Sequence, residues 1–575
     1  MSKYILLSLL RSGACILTAM FMVCGLSTQA QNIATDYKGN TNVNPISASV
    51  FCADPTAIDF EGRLYVYGSN DHQQFIQNDK TGSNGYGDIQ SLVVFSTDDM
   101  VNWTFHGTID VKKICGSWCG QSWAPSAVWR TTEKGANEFF IYFSNGAGSI
   151  GVIKGSSPIG PFKSPRSSAL ITHSTPGVDP CCWVFDPGVV IDDNGTGWIA
   201  FGGGDPQETG SKMMPGNARI AKLKSSMTAI DGSAVEVPAP YMFEASELNM
   251  MNGRYVYTFN TSWSDRDDWS AYEGRGNYAE PSGCSMCYMV SDNPLDPTSW
   301  EYRGEYVPNE GNFGMGYGNN HTHLHKFNDT YYLFYHSSLL EQAMNTGASG
   351  FRSLCVNKAS VNENTQKIKK LTLSKTGITA IKNLNPYQWQ EAETMASSGG
   401  VSYEDFTNIT KNTTVSTLGN DASRNLQVKM AAGSWISVRK VDFGTTGANT
   451  FTFRAKGSGT VQIRLGSMTA VPAATLEFSS NDMTEHTFEL DTEKFKNVKS
   501  MFLVFTEATD VQFDAWCFTE QPIDGIEKVN GKSSNSQWFD LSGQRLPRIA
   551  KSGIVIERHT TPDNKSVVRK HILSH

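Results

Sequence analysis

"VFDPGVVIDDNGTGWIAFGG" occupies residues 184–203. An acid, Asp186, stands between Phe185 and Pro187 at the head of an apolar run, Val189, Val190 and Ile191. A "DDNG" turn follows, then a second apolar run. β-Branched and aromatic residues on either side of an Asn-Gly turn read as a hairpin. An ionised group at the head of a buried strand is costly without a partner. Asp186 therefore calls for a polar, ligand-sized cavity at that point rather than a hydrophobic core.

The same form recurs. "EGRLYVYGS" (61–69), "GANEFFIYFS" (135–144), "NGTGWIAFGG" (194–203), "NGRYVYTFN" (252–260) and "NDTYYLFYH" (328–336) each place a turn before alternating large apolar residues. They lie roughly 58 to 75 residues apart, with further short strands such as "SLVVFSTD" and "CYMVSDN" between them. Several strands per unit, repeated five times, predict an all-β chain that opens with a five-bladed β-propeller. A pair of β-sandwiches is the alternative, but it would not repeat at so long a period. About 7 to 11 residues before each turn stand Asp54, Ser126, Asp186, Glu244 and His321. In a propeller that offset puts all five on inner strands, facing one axial pocket.

Three carboxylates and a histidine around one pocket suit glycoside hydrolysis. One carboxylic acid protonates the departing oxygen, and another carboxylate activates water or attacks directly. The third holds the proton on the acid through like-charge repulsion. Trp123, Phe185, Phe243 and Trp263 offer sugar-stacking surface. Taken singly, each acid has an ordinary reading: Asp before Pro is a common turn former, and Glu247 is as plausible a surface acid as Glu244. His321 lies beside His323 and His325, any of which could be a satisfied structural histidine. Recurrence in register is what lifts the set. "GGGD" at 202–205 is read as a loop, since no helix signal follows it.

At these residues the sequence resembles glycoside hydrolase family 43, and within it the bacterial arabinoxylan arabinofuranohydrolases that carry a family 6 carbohydrate-binding module. The stretches that carry the likeness include "ADPTAIDFEGRLYVYGSND", "SWAPSAVW", "WVFDPGVV", "APYMFEAS", "GNNHTH" and "YYLFYHSS". The resemblance implies an inverting enzyme that removes α-L-arabinofuranosyl branches from arabinoxylan. Asp54 would be the base, Glu244 the acid and Asp186 the residue that tunes the acid. It further implies that Arg352, in "GFRSL", lies near the base and sugar, and that Asn70 and Asp71 border the pocket. His321 resembles a histidine near a central metal ion, usually calcium, often bound through water. Two departures stand out: "FEASELN" has Ala245 where relatives have an acid, and Thr322 follows His321 where relatives have a second histidine. They bear on the aglycone preference more than on the chemistry. β-Xylosidase or endo-xylanase activity of the same family is the alternative, and a non-catalytic glycan-binding protein is the alternative of another class.

The domain reading is 31–384 for the propeller, 385–521 for a β-sandwich and 522–575 for a small β-rich tail. "EAET", "AGSWISVRKVDFG" and "FDAWCF" resemble a family 6 carbohydrate-binding module, in which Glu391, Glu393 and Asp514 would match ligands of a structural calcium. The aromatic pair that stacks a sugar in many relatives is missing: Lys429 or a neighbour and "NDMTEHTF" stand in those places. The module is therefore expected to act by packing on the propeller. The tail segment "WFDLSGQRL" resembles C-terminal sorting tails of secreted Bacteroidetes proteins.

Residues 1–30 read as a secretory leader: Lys3 and Arg11, an apolar stretch, and a small residue, Ala30, before the cut. A secreted or cell-surface location is expected. Nine of the eleven cysteines remain after cleavage, and spacing allows Cys115 with Cys119 and Cys284 with Cys287 to pair. The net charge of −8 argues against nucleic acid as a partner. No run after the leader is long enough to span a membrane, no organic cofactor is called for, and a monomer is expected.

Overall fold

The computed structural model describes residues 32–575 except 40, 205–215, 264–265, 408, 410–421, 423, 521–535, 540–544, 547–552, 561–565 and 574–575. The leader lies outside the described residues, as do parts of the sorting-like tail. No described helix is long and apolar enough to cross a membrane.

The described residues are mostly β. Each of the five aromatic runs is the second strand of its own antiparallel sheet. Sheet I holds Ala53–Phe60, Arg63–Ser69, Leu92–Thr97 and Trp103–Ile109. Sheet II begins with Trp123–Thr131 and Asn137–Ser144, and sheet III with Gly188–Ile191 and Gly197–Gly202. Sheet IV begins with Met242–Met251 and Arg254–Thr261, and sheet V with Thr322–Phe327 and Thr330–Ser337. Two-residue turns with positive φ, Glu61-Gly62, Asn252-Gly253 and Asn328-Asp329, join first to second strand in sheets I, IV and V. That is the twist a tight hairpin needs.

The first strands neighbour one another in cyclic order: I with II, II with III, III with IV, IV with V, and V with I. A separate apolar cluster fills the space between each successive pair. Ile58 and Tyr67 of sheet I, for example, meet Ala127 and Phe139 of sheet II. Both faces of these sheets are thus covered, which is why strands such as Leu92–Thr97 are buried at every residue.

The second domain uses longer strands. Val428–Asp442, Ala448–Leu465, Ala474–Glu489 and Val498–Glu520 form one sheet that bends at repeated register shifts. It wraps an aromatic core that includes Phe451, Phe453, Phe513 and Trp516, in keeping with a β-sandwich. The domain packs on sheet I, where Thr394–Met395 pairs with the outer strand. The Asp405 carboxylate accepts the Thr108 amide at 2.8 Å. The segment ahead of sheet I crosses over to this domain, since the Trp435 indole donates to the Ala34 carbonyl at 2.8 Å. The described parts of the tail form a four-stranded sheet from Ser536–Phe539, Arg545–Leu546, Gly553–Thr560 and Ser566–Leu573.

Candidate active site

Four of the inner strands begin with an irregularity. Asp54, Ala124 and Asp186 adopt φ of 48°, 39° and 48°, each just before a proline, and Ala245 adopts 64°. Such values are unfavourable for residues with a Cβ, and a following proline restricts them further. They persist because side chains of neighbouring sheets capture the exposed amides. Asp54 N donates to His336 Nδ1 at 3.1 Å, Ala124 N to Ser69 Oγ at 2.8 Å, and Asp186 N to Ser144 Oγ at 2.7 Å. Ala245 N donates to Asp186 Oδ2 at 2.8 Å. Each of these contacts joins one sheet to the next. His336 Nε2 faces the Asn319 carbonyl at 2.6 Å. The ring therefore carries its proton on Nε2 and accepts through Nδ1.

The result is a cavity of about 300 Å³ that brings Asp54, Asp186, Glu244, His321 and Arg352 together. All three acids are buried. Asp186 and His321 stand just ahead of their strands rather than within them, which leaves their side chains free of the sheet. Trp123, Phe185 and Phe243 line the walls, and so do Trp183, Tyr86 and Asn319.

Arg352 sets the charge balance. Its Nη1 donates to Asp54 Oδ1 at 2.7 Å, while Nε and Nη2 grip the two oxygens of Asp71 at 2.9 Å each. The guanidinium also lies 5.1 Å from the Tyr86 ring centre. Burial opposes the charge on Asp54, but the Arg352 guanidinium beside it holds its carboxyl well below the ordinary range. Ser69 Oγ donates to its second oxygen at 2.7 Å. Asp186 has no such cation. Burial and the Asp54 charge push it up to about 7. Glu244 is also raised well above the ordinary carboxylate range, through burial and then the charges of Asp186 and Asp54. Its oxygens meet only neutral amides, Asn260 Nδ2 at 3.2 Å and Asn319 Nδ2 at 3.5 Å. His321 Nδ1 lies 3.7 Å from both Asp54 and Asp186, and burial lowers that histidine to about 4, so it is neutral. One cavity thus holds an ionised carboxylate and a protonated carboxylic acid, the pairing that acid–base catalysis needs.

Four expectations are corrected. Ser126 does not face the cavity: its Oγ accepts the Val189 amide at 2.9 Å and ties sheet II to sheet III, as Thr56 ties I to II through the Ala127 amide. Asn70 caps the short helix Asp71–Gln77 by accepting the Gln73 amide. Asp71 is fully buried behind Arg352 and acts through it. Trp263 is 43% exposed and does not line the cavity. The cysteines also differ from the pairings their spacing allows, for Cys115, Cys119, Cys284 and Cys287 are free thiols. Sequence reasoning missed Trp183, Tyr86, Asn319 and His336. Trp183, Asn319 and His336 stand inside stretches already singled out, "WVFDP", "GNNH" and "YYLFYHSS", whereas nothing marks Tyr86.

In the second domain Glu391, Glu393 and Asp514 are near one another. Burial raises Glu391 and Glu393, and the charge of Asp514 raises both further. Glu393 Oε1 is buried without a partner, while Asp514 Oδ1 accepts Asn425 Nδ2 at 2.6 Å. All-oxygen donors of this kind suit a hard cation such as calcium. Among the described residues, however, no three His, Cys, Asp or Glu side chains are drawn onto one point as a metal site.

The fold and this cavity define a carbohydrate-cleaving class: the profile of Glycosyl hydrolases family 43 matches residues 42–365, and the chain belongs to that family. Residues 391–520 match Carbohydrate binding module (family 6). Among relatives, the chain is 36% identical over 496 residues to an arabinoxylan arabinofuranohydrolase of Paenibacillus polymyxa, covering 83% of this chain and 74% of the relative. It is 34% identical over 517 residues to the arabinoxylan arabinofuranohydrolase of Bacillus subtilis (strain 168), covering 86% and 96%. A crystal structure of a Bacillus subtilis family 43 arabinoxylan arabinofuranohydrolase with cellotetraose superposes with a TM-score of 0.75 at 33% identity, covering 86% of this chain and 100% of that one.

Proposed function

We propose that this chain removes α-L-arabinofuranosyl branches from arabinoxylan by inverting hydrolysis, in a cavity at the axis of a five-bladed propeller. The cyclic contacts of the five inner strands support the propeller. The observation that carries the chemistry is the ionisation order in one cavity: Asp54 held down by Arg352, Glu244 held up by burial and two acidic neighbours. Asp54 takes a proton from a water molecule as that water attacks the anomeric carbon. Glu244 gives its proton to the departing xylosyl oxygen from the opposite face. Asp186 keeps that proton in place before the reaction and fixes the backbone beside Glu244 through the Ala245 amide. A volume of about 300 Å³ fits a single sugar ring, which favours removal of terminal residues over cleavage within a chain.

Calcium belongs to the same proposal. Glu391, Glu393 and Asp514 would hold it in the second domain, supported by the unpartnered Glu393 oxygen. At His321 an ion would be held through water. Neither takes part in the proton transfers. Location outside the cytoplasm is likewise proposed, on Lys3, Arg11 and the apolar stretch before Ala30. The test is time-resolved NMR of arabinoxylan digestion. β-Arabinofuranose should form first, with the xylan backbone intact. Release of xylose or xylo-oligosaccharides, or a first product of α configuration, would overturn the reading.

A further inference from the structure

The inner strands run on past the catalytic cavity to a second one, of about 220 Å³, lined by residues 57–59, 127–129, 189–191, 247–249 and by His323 and His325. This chamber plays no part in the chemistry above. The first strand of sheet V supplies it with two imidazoles, two residues apart, whose rings stack at 5.7 Å. Side chains at i and i+2 of a strand share one face.

Each imidazole faces a carboxylate through one nitrogen. His323 Nδ1 lies 2.9 Å from Glu247 Oε2, and both residues are more than nine-tenths buried. His325 Nε2 lies 3.1 Å from Asp59 Oδ1. A ring nitrogen facing a carboxylate carries the proton, so the lone pairs are left on His323 Nε2 and His325 Nδ1. Both ring nitrogens of His323 and Glu247 Oε1 are buried with no hydrogen-bond partner, the approach of Nδ1 to Glu247 Oε2 being an ion-pair contact rather than a hydrogen bond. A histidine with a carboxylate beside one ring nitrogen and the other nitrogen left open is the arrangement proteins use to bind a metal.

We propose that His323 and His325 chelate a late first-row divalent cation, of the zinc type, in the chamber at the far end of the inner strands. Glu247 and Asp59 orient the two rings, and water completes the coordination. Nitrogen donors select such ions over calcium, so this site is separate from any oxygen-lined calcium site, and it does not rest on the proposed reaction.

The test is titration of the whole chain with Zn²⁺ by calorimetry, together with Cu²⁺ electron paramagnetic resonance. The expected result is one saturable site that excess Ca²⁺ does not displace, with two nitrogen couplings in the copper spectrum. His323→Gln or His325→Gln should abolish that site and leave hydrolysis unchanged. Because His323→Gln alters a buried pair on which folding can depend, Asp59→Asn serves as the milder variant, expected to weaken Zn²⁺ about 10- to 100-fold. Zinc binding that is absent, or equal in the wild-type chain and all three variants, would overturn the assignment, as would a copper spectrum without two nitrogen donors.

Discussion

Two trios of carboxyl groups, one in each domain, behave differently. Asp54, Asp186 and Glu244 share their cavity with Arg352, which neutralises one of them and leaves the others to be raised by burial and by each other. Glu391, Glu393 and Asp514 have no ion-pair partner in the described structure, and both glutamates are raised. A fixed cation beside one member spreads a trio into a base and an acid. Without it, burial and mutual repulsion raise both glutamates, the situation that the proposed calcium would relieve. Neither the number of acids nor their burial decides between these outcomes; the position of the guanidinium does.

The largest effect should come from breaking the first trio. Asp54→Asn should lower kcat/KM on arabinoxylan by about 10³-fold or more, since it removes the base. Glu244→Gln should cost as much on the polysaccharide but far less on a nitrophenyl arabinofuranoside, whose leaving group needs no proton. Equal losses on both substrates would deny Glu244 its role. Moving the cation is the sharper test. In Arg352→Met the Asp54 pKa rises, so the acid limb of the kcat/KM profile should shift to higher pH, with a loss near the optimum of about 10²-fold. An unmoved acid limb would separate Arg352 from the base.

How far the sequence reveals this depends on where each residue sits. Asp54, Asp186 and Glu244 are readable because inner strands recur at a steady offset before a visible turn. Ser126 has nearly the same offset yet points between strands, because it stands two residues past the irregularity at Ala124, in the place that Thr56 holds in sheet I, whereas Asp54 and Asp186 stand at theirs. Tyr86 comes from a loop, and loops carry no periodicity to place them. His336 sits near the end of a second strand, and its task, accepting the Asp54 amide across the seam between sheets V and I, exists only once the ring closes. The cysteines mislead for a similar reason: spacing along the chain does not give the direction of a side chain, and Cys284, for instance, turns toward the Gly318 carbonyl. The second trio is legible only by resemblance, since its three acids obey no offset.

A smaller effect tests that second trio. Saturating Ca²⁺ should raise the melting temperature, with a stabilisation of about 2.7 kcal/mol once the ion is at a hundred times its Kd. Glu393→Gln should lose most of that gain, and hydrolysis of a nitrophenyl glycoside should stay the same. Were Ca²⁺ to leave the melting temperature unmoved, the two glutamates would have to hold their protons instead, and stability would fall as pH rises through their raised pKa values.

The smallest effect belongs to a residue that touches neither trio. Ser126 Oγ accepts the Val189 amide, three residues beyond Asp186, and is itself fully buried. Ser126→Ala removes that acceptor and leaves a buried N–H unpaired, a cost of about 1–3 kcal/mol. The catalytic groups keep their own supports: Asp186 is held by Ser144 and by the Ala245 amide, and Asp54 by Arg352 and Ser69. Denaturant unfolding should therefore show the loss while kcat and the pH profile stay within about twofold of the parent. Conversely, a large fall in kcat with unchanged stability would mean that Ser126 reaches the substrate after all. The charge balance of the first trio would then depend on the seam between sheets II and III as well as on Arg352.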